Sequence, residues 1–449
     1  MLFALVSLYP LYFLGLGLFL DKYLFKNRDQ QSVLEKLFWV YGLGILFNFL
    51  LIVASPKLSI SEILGIPLSI IGLLVCRDFL RDILSTVLKK PFNFILITVV
   101  CGFFLHQILV VPIFEWDPRS IWFFYAKVIY HSDYFLGMGD ALKLNAGNHP
   151  DYPKLVPAMA AQLANVVGFW NEFLPKFSLA PIFIHSSLGF FIWSKEKWYT
   201  QLTSLVIFLS LGTFTWNGYM DGYVSLYGGL FCFWSWSLIK TKKLSKNIFL
   251  CAAIFLNIKN EGIVFSLVFG TLLVIYGVRH KVLFELVKGV RKYLLEIVLM
   301  LLPFVIWVVA KKSWGFTDTQ ITFDLALVQR MIARVHEIPF LMKELIFIKY
   351  IVPYIIVGGV ASLLALAFLK LKNRLKVNEI SLFAWVCGLY YFGIIFLVYL
   401  QTMAPLRWHL NTSANRTLMP VLVFIWVGTM IFLKDLGNEK EINNKSIIN

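Results

Sequence analysis

The sequence predicts an all-α membrane protein, a polytopic bundle of about thirteen transmembrane helices. Hydrophobic residues make up 59% of the 449-residue chain and charged residues only 15%, whereas soluble domains carry about 25% charged residues. The mean hydropathy is +0.76. Backbone polar groups must be paired inside a bilayer, and the alternating pattern of a β-barrel is absent from the sequence. Helices are therefore expected to make the crossings.

Apolar runs of nearly membrane-spanning length mark the predicted spans. They are Leu2–Leu20, Leu37–Ala54, Ile63–Leu80, Phe92–Ile113, Phe177–Trp193, Tyr199–Trp216, Gly222–Ile239, Ile248–Ile258, Ile263–Val278, Tyr293–Val309, Ile346–Leu369, Ile380–Leu400 and Leu418–Leu433. The eighth run is short, and Pro67 interrupts the third. The apolar stretch 152–169 contains Pro153 and Pro157, so we expect a helix at the membrane interface there instead of a crossing.

The basic residues predict the orientation of the bundle. Most of the 41 lysines and arginines lie in loops after odd-numbered spans and in the C-terminal tail. Because cytoplasmic loops carry such an excess, we expect an N-terminus outside and a C-terminus in the cytoplasm, in the cell inner (plasma) membrane. The net charge of +16 is thus a property of loops and does not indicate a nucleic-acid partner. The five cysteines fall within apolar runs, which favours core positions over disulfides or a zinc site.

The unusual polar residues fall on the predicted extracytoplasmic face. In chain order they are Glu115, Asp117, Arg119, His149, Asp151, Tyr152, Asp221, Lys259, Glu261, His409 and Arg416. Polar groups at membrane depth are costly and usually face a cavity. Their convergence on one face predicts a site that binds a polar substrate or performs chemistry on it.

Two carboxylates, Glu115 and Asp117, follow the fourth span. At positions i and i+2, one could act as a general base or metal ligand while the other orients the substrate. The structural alternative is that Asp117 caps a helix that begins at Pro118, since this pair of residues is a common helix start. The two roles are compatible.

The other polar residues also have structural alternatives. His149 could anchor the chain at the headgroup level, and Asp221 could belong to a solvated turn. Lys259 and Glu261 could form a local ion pair, and Arg416 could extend to the membrane interface. As functional residues, Lys259 would supply a point charge for a phosphate, and Arg416 would do the same beside a helix N-terminus that favours anions.

The order of these motifs resembles that of a known family. An acidic EWD after a span, HPDYPKLVP, a further Asp two crossings later, NIKNEG, and a late His409…Asn415-Arg416…Pro420 look like bacterial GT-C glycosyltransferases. These enzymes are related to the dolichyl-phosphate-mannose-dependent protein mannosyltransferases and to lipid A sugar transferases. The resemblance implies a catalytic transmembrane domain at 92–434, with juxtamembrane helices in an extracytoplasmic loop at 114–175. Accessory helices would occupy 1–91, and a polar cytoplasmic tail 435–449.

The resemblance also implies a reaction and roles for the residues. A sugar would move from a polyprenyl-phosphate donor to a glycan, lipid or protein acceptor by inverting displacement, with Asp117 as base and Glu115 as its partner. Lys259, Arg416 and His409 would bind the donor phosphate. Substrate binding would fall to Arg119, His149, Asp151, Tyr152, Asp221 and Glu261. No cofactor is required, although the acids are compatible with a divalent metal. Trp116 separates the two acids that the family places side by side.

Alternative functions use the same composition. A polytopic transporter or flippase of a polar or lipid-linked substrate would suit the span count, but should place its essential charges near the bilayer centre. An envelope polymerase or ligase would share the external Arg and His without needing Asp117. A scaffold without catalysis would need none of these residues. Replacing Asp117 with Asn separates the transferase from all three.

Overall fold

The computed structural model describes residues 2–25, 32–89, 91–136, 139, 149–194, 198–316, 325–347, 379–402 and 404–448. Every regular element within these ranges is helical, so the all-α prediction is confirmed. The predicted span Ile346–Leu369 lies almost entirely outside the described residues, as do the basic loop that follows it and most of residues 137–148.

The α-helices of the described residues follow one another with short connections. They are α1 Leu2–Leu20, α2 Val33–Ala54, α3 Leu58–Val75, α4 Arg77–Lys89, α5 Pro91–Val110, α6 Phe123–Ser132, α7 Leu155–Val167, α8 Leu179–Ser194, α9 Trp198–Leu211, α10 Thr213–Trp216, α11 Asp221–Thr241, α12 Asn247–Ile258, α13 Glu261–Arg279, α14 Leu283–Lys292, α15 Leu294–Ser313, α16 Leu325–Ala333, α17 Ile338–Phe347, α18 Phe383–Gln401, α19 Leu406–Thr417 and α20 Met419–Ile448. A π-helical turn, Pro118–Trp122, leads into α6, and a 3-10 turn, Leu174–Ser178, leads into α8.

Several of these helices have the length and apolar composition of membrane spans. Within the described ranges there are seven: Val33–Ala54, Leu58–Val75, Leu174–Ser194, Glu261–Arg279, Leu294–Ser313, Phe383–Gln401 and Leu406–Asp435. Shorter apolar helices cover Ile97–Val110, Leu155–Val167, Thr200–Leu211 and Asn247–Ile258. The chain therefore has the character of a multi-pass membrane protein, and the total of about thirteen spans stays a prediction.

The third predicted span, Ile63–Leu80, is wrong at both ends. The helix α3 begins at Leu58 and ends at Val75, and after Cys76 the separate helix α4 begins at Arg77. The charges of Arg77 and Asp78 explain the break, because a helix in hydrocarbon would have to bury both of them.

Two later predicted spans also differ from the observed helices. Tyr199–Trp216 is divided into α9 and α10 at Gly212, whose φ of +45° is accessible to a residue without a Cβ. The last predicted span, Leu418–Leu433, continues through the predicted polar tail, since the α20 backbone is helical to Ile448.

The N-terminal helices share their core with the rest of the bundle. At Gly17 of α1 an added Cβ would lie 1.5 Å from the Val40 carbonyl oxygen of α2, so only glycine permits this packing distance. At Gly44 of α2 an added Cβ would lie 1.8 Å from the Phe13 carbonyl oxygen of α1. These two helices also contact α8, and α2 contacts α12 and α15. Residues 1–91 therefore do not form a separately packed unit.

Helix α7, predicted to lie at the interface, is enclosed by the protein. Residues 155–164 are all buried. Asn48 of α2 donates a 2.8 Å hydrogen bond to the Gln162 side chain, whose amide donates a 3.1 Å hydrogen bond to Ser61 of α3. Thirteen residues span about 20 Å, which is too short for a crossing. Polar contacts to α2 and α3 thus hold α7 inside the bundle.

Side-chain contacts define two ends of the bundle. Asp21, Lys36 and Lys246 meet at one end, where Lys240 also pairs with Asp435. We call this the basic end. Helix α11 runs from Asp221 to Thr241, which places Asp221 about 30 Å from it, at what we call the site end. Loops after odd-numbered predicted spans therefore meet one another, as the charge pattern predicts; which end faces the cytoplasm stays a prediction.

Candidate functional site

The first cluster at the site end is an ion pair between Asp117 and Arg416, 299 positions apart. Pro118 does begin a helical turn, but the Asp117 side chain makes no capping hydrogen bond. Its carboxylate contacts the Arg416 guanidinium at the end of α19. Both side chains are 18% exposed. The capping alternative is therefore wrong, and the arginine is held by a partner.

Tyr219, which the sequence analysis did not single out, completes this cluster. Its hydroxyl donates a 3.3 Å hydrogen bond to Glu115 Oε2, and the Arg416 guanidinium lies 5.2 Å from its ring centroid. Burial and the charge of Glu115 raise the pKa of Tyr219, so it stays a donor. The neighbouring Gly218 has φ +96°, and an added Cβ would lie 2.8 Å from the Phe123 ring. This close approach brings Tyr219 to the acids; the sequence signal was the GYMDGY turn.

The second cluster is centred on Lys259, in the extended link between α12 and α13. Its Nζ lies 3.0 Å from Asp221 Oδ1 and 2.7 Å from Glu261 Oε1. Burial alone would lower the pKa of Lys259, but Asp221 and Glu261 raise it well above its ordinary value. The local pair predicted from the sequence thus exists, but it is buried and includes a second acid. Glu261 Oε2 is buried without a hydrogen-bond partner among the described atoms.

The HPDYP segment joins the two clusters. The buried Asp151 accepts a hydrogen bond from the Asn260 side-chain amide. Tyr152 stacks on Trp122 at 5.3 Å and on His149 at 4.7 Å, and its ring lies 5.8 Å from Lys259 Nζ. Trp122 closes the π-helical turn that begins beside Asp117. An aromatic bridge therefore connects the base candidate to the Lys259 cluster.

Lys154 is a second residue that the sequence analysis missed. It is 0% exposed, and its Nζ has no hydrogen-bond partner in the described structure. The amine lies 3.8 Å from the Tyr125 ring centroid and 5.1 Å from that of Trp307. Burial lowers the pKa of Lys154 well below its ordinary value, while Asp151 acts in the opposite direction. The only sequence signal was a lysine at the start of an otherwise apolar helix.

Two predicted site residues lie outside these clusters. His409 Nδ1 is 2.7 Å from Thr402 Oγ1, and its ring packs edge-to-face on Tyr399. It precedes Arg416 by about two helical turns and contacts none of the clustered acids. The Arg119 side chain is exposed and joins neither cluster. The other predicted residues are brought together: Glu115 and Asp117 with Arg416, and His149, Asp151, Tyr152, Asp221 and Glu261 around Lys259.

Metal and cavity geometry were also compared with the clusters. Within the described ranges, no three His, Cys, Asp or Glu side chains converge closely enough to hold a metal ion. An open, mainly apolar groove of about 370 Å³ lies elsewhere, lined by α5, α8 and α9 residues that include Ile97, Ser187 and Gln201. The candidate site is thus a set of buried charges at one end of the bundle.

Comparison with known proteins identifies no relative. No family model matches the chain, and no curated protein or solved structure is detectably similar to it.

Proposed function

We propose that the chain is a membrane glycosyltransferase that moves a sugar from a polyprenyl-phosphate donor to an envelope glycan, lipid or protein acceptor at the extracytoplasmic face. The observation that carries the proposal is the contact between Asp117 and Arg416. The family resemblance gives these residues the roles of base and phosphate ligand, which the reaction needs only a few ångströms apart. They come from segments 299 positions apart.

The second cluster suits a sugar. Glu261 Oε2 is a buried acceptor without a partner, and two carboxylates share the single cation Lys259. Sugar hydroxyls are donors, so they can satisfy the surplus carboxylate oxygens. The stacked rings of Tyr152 and Trp122 beside this cluster offer an apolar surface for a sugar ring. A hydroxyl-rich substrate therefore relieves the local charge imbalance.

The reaction follows from these positions. Asp117 accepts the proton of an acceptor hydroxyl, whose oxygen attacks the anomeric carbon of the donor. The bond from that carbon to the phosphate oxygen breaks, the configuration inverts, and the polyprenyl phosphate leaves with the electron pair. Arg416 stabilises the negative charge on the leaving phosphate, so a general acid is not required.

The resting ion pair sets the order of events in the proposal. A carboxylate paired with arginine is a weaker base than a free one. Donor phosphate competes with Asp117 for Arg416, and its binding frees the carboxylate to accept a proton. Lys259, already held by two acids, is the poorer phosphate ligand and instead positions Asp221 and Glu261.

A transfer assay with a matched control tests the proposal. The protein would be reconstituted with its native membrane extract as acceptor and a panel of polyprenyl-phosphate sugars, and release of polyprenyl phosphate would be followed. Asp117→Asn should lower turnover by about 10²–10⁴, the usual contribution of a general base. The control, Asp78→Asn, changes an exposed acid on α4 and should retain full turnover. Full turnover in Asp117→Asn would overturn the base assignment.

The transporter alternative has one observation in its favour. His185 lies near the middle of the predicted fifth span and is fully buried. However, its Nδ1 is 2.7 Å from the Tyr227 hydroxyl and its Nε2 is 3.0 Å from the Phe38 carbonyl oxygen. Both ring nitrogens therefore have partners, as in a structural histidine. Movement of a labelled polyprenyl-phosphate sugar across vesicles without its cleavage would favour the transporter.

A further inference from the structure

Helix α4 at the basic end has an apolar face that the protein does not bury. Its apolar residues recur at positions 79, 80, 83, 84, 87 and 88, which places them on one side of the helix. None is buried, and Leu84 and Leu88 are exposed, Leu88 at 67%. The opposite side carries Arg81, Ser85 and Lys89. The helix is therefore amphipathic, with its apolar edge uncovered.

Helix α14 repeats this arrangement. Leu283, Phe284 and Val287 are exposed, Phe284 at 74%. The helix ends in a basic group of Lys288, Arg291 and Lys292. Only Gly289 is buried, where it packs on Leu244. With 10 and 13 residues, α14 and α4 are about 15 Å and 20 Å long, too short to cross a membrane.

Both helices are attached to the same end of the bundle. Lys36, which pairs with Asp21, lies 4.8 Å from the Phe79 ring centroid of α4. Leu244, the contact of α14, lies in the connection that also carries Lys246, a second partner of Asp21. The ion group around Asp21 thus fixes both helices at one level along the bundle axis.

The uncovered faces continue the lipid-facing surfaces of two spans. Leu74 and Val75 at the end of α3 are exposed just before α4 begins. Ile275 and Val278 at the end of α13 are exposed just before α14. A bilayer that covers α3 and α13 therefore reaches the apolar edges of both short helices at its surface.

We propose that α4 and α14 lie in the plane of the membrane at the basic end and bind anionic phospholipid headgroups. Leu84, Leu88 and Phe284 would enter the boundary between headgroups and acyl chains. The basic groups Lys288, Arg291 and Lys292 would contact the phosphates, as in other interfacial amphipathic helices. This surface is separate from the candidate site and does not depend on the proposed reaction.

Site-directed quenching tests the location of the helices. Bimane would be attached to single cysteines at Leu84 and Phe284, with Ser85 as the matched control, after replacement of the five native cysteines in the full chain. Lipid nitroxides placed just below the headgroup should quench at positions 84 and 284 at least twice as strongly as at 85. Equal quenching at 84 and 85, or no quenching at 284, would overturn the in-plane placement. A shielded but unquenched probe would indicate cover by a second copy and would also overturn it.

A second arm tests the headgroup preference. Nitroxide-labelled phosphatidylglycerol should quench the probe at position 284 about two- to fivefold more than labelled phosphatidylcholine at low salt, and the ratio should fall with added salt. The variant Lys288→Gln/Arg291→Gln/Lys292→Gln should bring the ratio to about one. Its control, Lys57→Gln/Lys312→Gln/Lys343→Gln, removes the same charge from exposed positions elsewhere and should keep the ratio. An unchanged ratio in the first variant would overturn the anionic-lipid assignment.

Discussion

The two ends of the bundle use the same kinds of residues in opposite proportions. At the basic end one acid, Asp21, is shared by Lys36 at 3.6 Å and Lys246 at 4.0 Å, and it also accepts a 3.0 Å hydrogen bond from the Trp39 indole. At the site end one cation, Lys259, is shared by two acids. The surplus charge is positive at the first end and negative in this cluster of the second.

The difference is informative because only one surplus is neutralised by the surroundings of a membrane protein. Extra lysines near a bilayer surface are matched by anionic headgroups and water. A surplus carboxylate buried beside Lys259, and the buried Lys154 amine without an acceptor, have no such partner. Buried charges left in this state are costly and are associated with functional sites. The comparison therefore points to the site end as the place of chemistry.

The largest expected effect breaks the comparison at its two shared residues. Lys259→Gln would leave Asp221 and Glu261 buried without a cation, which should lower the free energy of unfolding by about 3–5 kcal/mol. Lys246→Gln at the basic end should cost less than half as much, because Asp21 keeps Lys36 and Trp39. Unfolding of both variants in the same detergent would be followed by tryptophan fluorescence. Equal losses would mean that the two ion groups are equivalent structural supports.

Lys154 gives the next largest effect, with opposite signs for stability and activity. Lys154→Met replaces an unpartnered buried amine with an apolar side chain of similar length, and should raise the free energy of unfolding by about 1–3 kcal/mol. If the amine binds the donor or acceptor, turnover should fall at least tenfold in the same variant. Lys127→Met is the control in the preceding helix, since Lys127 is half-exposed and paired with Glu172 at 2.6 Å. A destabilised Lys154→Met protein would show that the lysine is a packing residue.

The pH dependence of stability sharpens this test. Because the pKa of Lys154 is lowered by folding, the unfolded chain binds more protons between the folded-state pKa and the ordinary value of 10.5. Stability contributed by this residue therefore rises with pH in that window. The stability advantage of Lys154→Met should shrink between pH 8 and pH 10. A constant difference across this range would contradict the lowered pKa.

The sequence identified the segments of the site but not its contacts. Apolar run length locates most helices, and the loops between them place Asp117, Asp151, Asp221 and Lys259 at related positions. Periodicity does not say which cation meets which acid, so the pairing of Asp117 with Arg416 required the three-dimensional packing of α19 against the first loop.

The residues that were missed or misplaced have a common cause. Lys154 and Tyr219 looked like ordinary interfacial residues because burial, which makes them unusual, is a tertiary property. His409 was included for its position near Arg416 in sequence, yet Thr402 and Tyr399 hold it on another part of α19. Proximity along a helix does not specify a shared face unless the spacing is three or four residues.

The smallest expected effect concerns Tyr219, at the boundary between the two acids. Tyr219→Phe keeps the ring beside Arg416 but removes the 3.3 Å hydrogen bond to Glu115. A hydrogen bond of this kind contributes about 1 kcal/mol, which corresponds to about a fivefold loss of turnover with little change in unfolding. Tyr223→Phe is the matched control: its hydroxyl donates to the Thr215 carbonyl at 2.6 Å, so its loss should lower stability and leave turnover unchanged. The reverse result would assign Glu115 and Tyr219 to the structural support of the loop and leave Asp117 as the sole reactive acid of the first cluster.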